Sequence, residues 1–152
     1  MSQPQPGDPV PAFETQADDG ATVSSESLMG RRYILYFYPK DDTPGCTTQA
    51  CSLRDNFERV MATGVEVFGV SPDSVASHVK FRQKFDLPYR LLADVGHPMA
   101  DAFGTWVEKS FAGKTYKGVE RTSFIIDEQG RIAKVLPRVK PAEHVGQILE
   151  LV

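Results

Sequence analysis

Two short segments of the chain are almost continuously apolar, and the segment between them repeats its apolar residues with a helical period. Residues 32–38 (RYILYFY) and 65–70 (VEVFGV) have the β-branched and aromatic composition of strands buried on both faces. Pro39 ends the first strand. Residues 44–63 predict a helix, because their apolar positions form one stripe, made by Leu53, Phe57, Val60 and Met61.

A second helix is predicted to follow the second strand. Residues 71–74 (SPDS) form a loop that ends in good N-cap residues, and the helix runs through Phe85. Strand, helix, strand and helix make a βαβ unit, which is right-handed and binds ligands beyond the carboxyl ends of its strands. The sequence YFYPKDDTPGC lies at one such end.

The remaining elements are predicted from weaker patterns. Residues 12–25 alternate around Asp19-Gly20 and predict a hairpin, and residues 120–127 and 131–136 predict a second one. The other predictions are a short strand at 90–93, a short helix at 97–103, an irregular surface loop at 106–118 and a helix at 141–152 that turns Val145, Ile148, Leu149 and Val152 inward. His97 is expected to start its helix, Trp106 to be partial core or a cover, and Lys109, Lys114 and Lys117 to form a solvated loop face.

Composition narrows the function classes. A length of 152 residues favours one domain spanning residues 1–152, and 41% hydrophobic residues are ordinary for a globular protein. The net charge of −3 offers no basic excess for nucleic acid or acidic lipid. The first residues lack the pattern of a secretory signal, and no apolar run reaches the roughly 20 residues of a membrane span. A soluble, cytoplasmic protein is expected.

Both cysteines of the chain stand in YPKDDTPGCTTQAC, residues 38–51. Thr43 is a good N-cap and Pro44 is favoured at the first helical position, so Cys46 is predicted to lie in the first helical turn. Free N–H groups and the positive end of the helix dipole stabilise a thiolate there. The pattern favours a reactive cysteine over the alternative, a small buried apolar residue.

Cys51 follows five residues later, which on a helix is a rotation of roughly 140° and a rise of about 7.5 Å. The two thiols therefore point to different sides of an intact helix, whereas a disulfide needs Cα atoms about 4.4–6.8 Å apart. This spacing argues against a permanent structural bridge. It favours a pair that bonds only when the helix opens.

Other uses of two thiols fit less well. A structural zinc site needs four ligands, and the remaining candidates, His78, His97 and His144, show no paired spacing. The spacing Cys-x-x-x-x-Cys also differs from the Cys-x-x-Cys of thioredoxin-type reductases. We expect no metal.

The residues around the first cysteine resemble those of the peroxiredoxins. Pro39 to Cys46 matches the motif Pro-x-x-x-Thr-x-x-Cys, and the added Cys51 resembles the peroxiredoxin Q, or bacterioferritin comigratory protein, subfamily. The similarity runs from about residue 7 to the C-terminus, through CTTQACSLRDNF, LLADVGHPMADAFGTW and KGVERTSFIIDEQGRI. It implies an α/β, thioredoxin-like fold with a central mixed β-sheet flanked by helices and an N-terminal β-hairpin extension.

The resemblance also implies an activity, the reduction of hydrogen peroxide and organic hydroperoxides without a metal or organic cofactor. Cys46 would be the peroxidatic cysteine and Cys51 the resolving one, joined in a disulfide that thioredoxin or a similar dithiol protein reduces. The other implied site residues are Pro39, Thr43, Gly45 and Arg121, with Gln49 where several other peroxiredoxin classes have Glu. Without the motif, Arg121 would be interpreted as a solvated strand charge.

Physical chemistry gives each implied role a reason. Arg121 supplies a permanent positive charge for the thiolate and the leaving oxygen, the Thr43 hydroxyl can hold a peroxide, and Pro39 is a rigid lid without a donor. Two other functions stay open on the sequence: a thiol-based redox sensor or chaperone, and a general disulfide oxidoreductase. A monomer is expected, because the resolving thiol lies in the same chain.

Overall fold

The computed structural model describes residues 3–151. In that range the chain forms, in order, β1 (Glu14–Ala17), β2 (Thr22–Ser24), β3 (Tyr33–Phe37), α1 (Pro44–Asp55), α2 (Phe57–Met61), β4 (Glu66–Ser71), α3 (Val75–Phe85), β5 (Arg90–Ala93), α4 (Pro98–Ala102), β6 (Trp106–Phe111), β7 (Lys114–Val119), β8 (Thr122–Ile126), β9 (Ile132–Leu136) and α5 (His144–Leu151).

Seven strands form one mixed sheet in the order β2-β1-β5-β4-β3-β8-β9. The strands β3, β4 and β5 are parallel to one another, which confirms the βαβ unit, and the other pairs are antiparallel. Both predicted hairpins are confirmed, β1 with β2 and β8 with β9. The predicted fold class, a mixed sheet flanked by helices with an N-terminal hairpin, is therefore confirmed.

The central strand places the loop that carries the first cysteine. Because β3 and β8 are antiparallel, Phe37 at the end of β3 pairs with Thr122 at the start of β8. The residue before β8, Arg121, thus lies at the same edge of the sheet as Pro39, although the two are far apart in the sequence. This edge is the carboxyl end of the parallel strands, where ligand sites are expected.

The sheet separates two apolar clusters. Alternate residues of β3 face opposite sides: Tyr33, Leu35 and Phe37 join one cluster, and Ile34 and Tyr36 join the other. The second cluster includes Leu53 of α1 and Ile148 of α5, both fully buried. Each such aliphatic side chain contributes about 1.5–3 kcal/mol when fully buried, so packing fixes α1 and α5 against this face.

The predicted helix over residues 44–63 is wrong in one respect, because it is two helices. Asn56 interrupts it with φ −115° and ψ 15°, and its side-chain amide donates to the carbonyl oxygen of Ser52 at 2.9 Å. Asparagine side chains compete with the helical backbone for hydrogen bonds in this way. Of the predicted apolar stripe, Leu53 and Val60 are buried, but Met61 is 48% exposed.

The prediction of an irregular loop at residues 106–118 is wrong. This segment is the β6–β7 hairpin, paired from Trp106 with Val119 to Phe111 with Lys114. Its turn residues Ala112 and Gly113 both have positive φ, 53° and 78°, as a tight two-residue hairpin turn requires. In the described part of the chain, these two strands pair only with each other.

His97 and Trp106 behave as predicted. His97 occupies the N-cap position of α4, and its ring stacks on that of Trp106 with centroids 3.7 Å apart. Trp106 is partly buried against the first apolar cluster, which confirms it as partial core.

The C-terminal helix begins at His144, three residues later than predicted. Ile148 is buried and Val145 and Leu149 pack partly buried against the second cluster, as predicted, whereas Val152 lies outside the described residues. Across residues 3–151, every helix is too short or too polar to span a membrane.

Candidate active site

Cys46 lies in the first turn of α1, as predicted. The helix begins at Pro44, after Thr43 in an extended conformation. The Thr43 carbonyl oxygen accepts from the amide of Thr47 at 2.8 Å, whereas its hydroxyl donates back to the carbonyl of Lys40 at 3.0 Å. Thr43 therefore caps the helix with its backbone and uses its side chain to close the preceding loop.

The Cys46 thiol is free and only 1% exposed, in the second apolar cluster. Burial disfavours a charged thiolate, and the N-terminal end of a helix favours it. A nearby cation would also stabilise a negative charge on the sulfur. The structure places Arg121 in that position relative to the start of α1.

Arg121 is half-buried and contacts α1 at two points. Its Nη1 donates to Oε1 of Gln49 at 3.0 Å, and Gln49 is 1% exposed, three residues after Cys46 on the same helix. A Cβ placed on Gly45 would come within 2.8 Å of Nη2 of Arg121. A larger residue at position 45 would therefore displace the guanidinium from its place beside the residue before Cys46.

The segment before α5 completes the surroundings of Arg121. The Arg121 carbonyl oxygen accepts from the amide of Val139 at 2.8 Å, and a Cβ on Gly45 would also come within 3.5 Å of the Pro141 ring. Arg121 is thus held between the helix start and this segment. It is not the solvated strand charge that the sequence alone would have favoured.

A buried histidine of α5, His144, contacts β8 close to Arg121. Nε2 of His144 hydrogen-bonds the hydroxyl of Ser123 at 2.6 Å, two residues after Arg121. Burial, together with the charge of Arg121, lowers the pKa of His144 to about 3. The ring is therefore neutral near neutral pH and adds no charge that would compete with the guanidinium. From the sequence, His144 was considered only as a possible zinc ligand.

Lys109 of the β6–β7 hairpin is a cation that sequence reasoning missed. Burial lowers its pKa and Arg121 adds to that fall, whereas Glu120 and Cys46 oppose it. Lys109 is therefore half-buried within electrostatic range of the cysteine, which corrects its prediction as a solvated loop residue. Lys114 and Lys117 are exposed, as predicted. The sequence signal for this hairpin was the pair Ala112-Gly113, which forms its turn.

Cys51 is the second free thiol and is half-buried farther along α1. Cys46, by contrast, is only 1% exposed. The two thiols thus differ in exposure, as expected for different sides of one intact helix. Pro39, another predicted site residue, is half-buried, two residues after the end of β3.

One group of possible metal ligands lies within residues 3–151. Asp41, Asp73 and His78 place their ligand atoms within 4.8 Å of one another, and neither cysteine belongs to the group. The side chains are engaged by protein hydrogen bonds, including His78 Nδ1 with Asp41 at 2.7 Å and the Ser71 hydroxyl with Asp73 at 2.6 Å. This arrangement is that of a satisfied polar network.

Comparisons with known proteins agree with this geometry. The AhpC/TSA family model matches residues 6–135. The chain is 44% identical to peroxiredoxin Bcp of Bacillus subtilis, over 95% of this chain and 92% of that protein. It is 42% identical to peroxiredoxin Bcp of Escherichia coli K12, over 98% and 96%.

Solved structures give the same result. Peroxiredoxin Q of Xanthomonas campestris superposes with a TM-score of 0.87 at 30% identity, covering 97% of this chain and 93% of that one. The chain therefore belongs to the AhpC/TSA family and is a peroxiredoxin of the Bcp and peroxiredoxin Q type, a thiol peroxidase that reduces hydroperoxides through cysteine and disulfide chemistry.

Proposed function

We propose that Cys46 is the peroxidatic cysteine of this thiol peroxidase and Cys51 its resolving cysteine. The observation that carries the assignment is the position of Cys46 in the first turn of α1, next to the glycine against which Arg121 packs. Cys51 lies farther along the same helix and is half-buried. A nucleophile needs positive potential, and Cys46 is the thiol whose surroundings provide it.

The proposed cycle has three chemical steps. The Cys46 thiolate attacks one peroxide oxygen, the O–O bond breaks, and the other oxygen leaves and takes a proton as water or alcohol, so that Cys46 becomes a sulfenic acid. The Cys51 thiol then attacks the Cys46 sulfur and water leaves, which forms the disulfide. A thioredoxin-type dithiol protein reduces the disulfide by exchange and is itself oxidised.

The remaining site residues receive supporting roles. Arg121 keeps its charge at all relevant pH values and stabilises both the thiolate and the leaving oxygen, and Gln49 orients it through the 3.0 Å hydrogen bond. Gly45 leaves the space for this contact. Thr43, whose hydroxyl closes the loop on Lys40, is placed to hold the peroxide, and Pro39 covers the site.

Both hydrogen peroxide and organic hydroperoxides are proposed substrates. The bacterioferritin comigratory protein of Xanthomonas campestris, 29% identical with a TM-score of 0.87, is described with alkyl peroxide reduction activity. The apolar surroundings of Cys46 are compatible with an alkyl group. We also propose that one chain suffices for the cycle, as a monomer, because both thiols lie on one helix. The cytoplasm is the proposed location.

A coupled assay tests the function. Peroxide should be consumed with one equivalent of reduced thioredoxin oxidised per turnover, at enzyme concentrations far below those of either substrate. A redox sensor would be oxidised once by peroxide and would then stop consuming it. A general disulfide oxidoreductase would reduce insulin disulfides without peroxide. Either of these two results, in place of sustained turnover, would contradict the proposal.

Hydrogen exchange tests how the two thiols meet. One equivalent of peroxide should form the bond between Cys46 and Cys51 within one chain, and the first turns of α1 should unwind, because the thiols are misaligned in the folded helix. Gly45 and Thr47 are weak helix formers, so the free energy needed to open these turns is only a few kcal/mol, roughly.

The amides of residues 45–52 should therefore lose protection on oxidation and regain it with dithiothreitol. The hairpin turn around Gly130 serves as an internal control and should not change. An oxidised chain with the intramolecular bond and full protection across residues 45–52 would contradict the opening of the helix.

A further inference from the structure

A buried polar network lies beneath the loop that joins β3 to α1. Its centre is Asp41, which is 7% exposed. The Asp41 carboxylate accepts three side-chain hydrogen bonds, from the Tyr38 hydroxyl at 2.6 Å, the Ser77 hydroxyl at 2.8 Å and Nδ1 of His78 at 2.7 Å. A buried carboxylate is costly without such partners, so these bonds determine where Asp41 lies.

His78 of α3 is fully buried, and both of its ring nitrogens face oxygen acceptors. Nδ1 faces the Asp41 carboxylate, and Nε2 lies 2.9 Å from the carbonyl oxygen of Leu92 on β5. The buried ring therefore bridges the Asp41 carboxyl group and the backbone of β5.

The backbone of the same loop is also held. The Asp41 amide donates to Oδ2 of Asp73 at 2.8 Å, and that oxygen also accepts from the hydroxyl of Ser71, the last residue of β4, at 2.6 Å. The loop is thus tied to the ends of β4 and β5 and to α3. These elements belong to the rigid sheet and its covering helix.

The residues that follow Asp41 transmit this position to the cysteine. Asp42 has φ 56°, a left-handed conformation that aspartate adopts more readily than most other residues. Thr43 comes next and caps α1, so the direction in which α1 starts depends on the placement of Asp41. Arg121 approaches the same helix start independently, from β8.

We propose that Asp41 and His78 are positioning residues for the peroxidase reaction, whose buried hydrogen-bonded contact fixes the start of α1 and thereby the place of Cys46 relative to Arg121. This proposal rests on the proposed role of Cys46. Neither residue touches the reacting atoms. A displacement of about 1 Å at a reacting group can lower a rate by roughly 10²-fold, so a loop anchor of this kind has a kinetic effect.

The test compares His78→Gln and Asp41→Asn with the wild type. His78→Gln keeps an amide near Leu92 but removes the ring nitrogen that faces Asp41. We expect the second-order rate of Cys46 oxidation by hydrogen peroxide, measured in a single turnover, to fall at least about 10-fold in both variants. The thiolate absorbance of Cys46 at neutral pH should fall as well, because the thiolate is no longer held against Arg121.

Lys84→Met is the matched control. It removes an exposed ion pair between Lys84 of α3 and Asp42 of the same loop, at 2.7 Å, and should leave the rate and the thiolate absorbance unchanged. If His78→Gln does not fold, His78→Asn, whose amide can still donate to Asp41, should fold and show a smaller loss of rate.

Folded variants that are less stable but keep the wild-type oxidation rate and thiolate absorbance would overturn the proposal, since the network would then be purely structural. Failure of the proposed function would look different. In that case one equivalent of peroxide would leave Cys46 of the wild-type protein unmodified in a peptide mass map.

Discussion

Cys46→Ser should lower thioredoxin-coupled peroxide turnover by roughly 10³-fold or more, to the uncatalysed background. A serine hydroxyl is far less acidic than a thiol and supplies no comparable nucleophile near neutral pH. The side chain is 1% exposed and the substitution replaces one small group by another, so the fold should be retained. Initial rates of thioredoxin oxidation and a circular dichroism spectrum measure the two effects.

Cys51→Ser is the matched control, because it makes the same change five residues away on the same helix. It should still consume about one equivalent of peroxide and then stop, with Cys46 as a sulfenic acid that is prone to further oxidation. Mass spectrometry of the treated protein distinguishes these products. Wild-type turnover in either Cys46→Ser or Cys51→Ser would contradict the assigned roles.

Arg121→Met should slow the oxidation of Cys46 by peroxide by roughly 10²-fold, the usual effect of removing one group that stabilises a developing negative charge. Methionine keeps an apolar stem and removes the fixed charge and the hydrogen bond to Gln49. The thiolate fraction of Cys46 at neutral pH should also fall. Single-turnover kinetics and thiolate absorbance against pH measure the two effects.

Arg90→Met is the control for Arg121→Met. Arg90 begins β5 at the opposite end of the parallel strands and pairs with Asp19 at 3.1 Å, with both side chains partly exposed. Its loss should change neither the rate nor the titration. If Arg121→Met behaved like this control, Arg121 would be a surface charge without a part in the reaction.

Strand β3 and the position of the first cysteine were predictable because local signals determine them. A continuous apolar run specifies a strand buried on both faces, as in β3, and Thr43 with Pro44 specifies a helix start, as in α1. The helix then places Cys46 and Cys51 on different sides by its period alone. None of these features depends on a distant part of the chain.

The errors arose where one residue outweighed a longer pattern. A helical stripe continues through residues 44–63, but the amide of Asn56 bonds the backbone and divides the helix. Basic and polar residues at 106–118 suggested a loop, but the conformation of Ala112 and Gly113 joins two strands. In both places the turn chemistry of single residues decided the structure.

The surroundings of the site were not predictable because distant elements supply them. Gln49 meets Arg121 across 72 positions, and His78 meets Asp41 across 37. His144 reaches Ser123 from the last helix. A sequence pattern reports which face of an element is apolar, but it does not report which polar side chains of two elements meet at the sheet edge.

The interruption at Asn56 has a consequence for repeated catalysis. If the helix opens from Pro44 when the disulfide forms, an unbroken helix would pass the disturbance on to Val60, which is fully buried in the core. The break divides the segment into a part that changes shape and a part that stays packed. We therefore expect each catalytic cycle to leave the folded core intact, so that the enzyme returns to its reduced form without refolding.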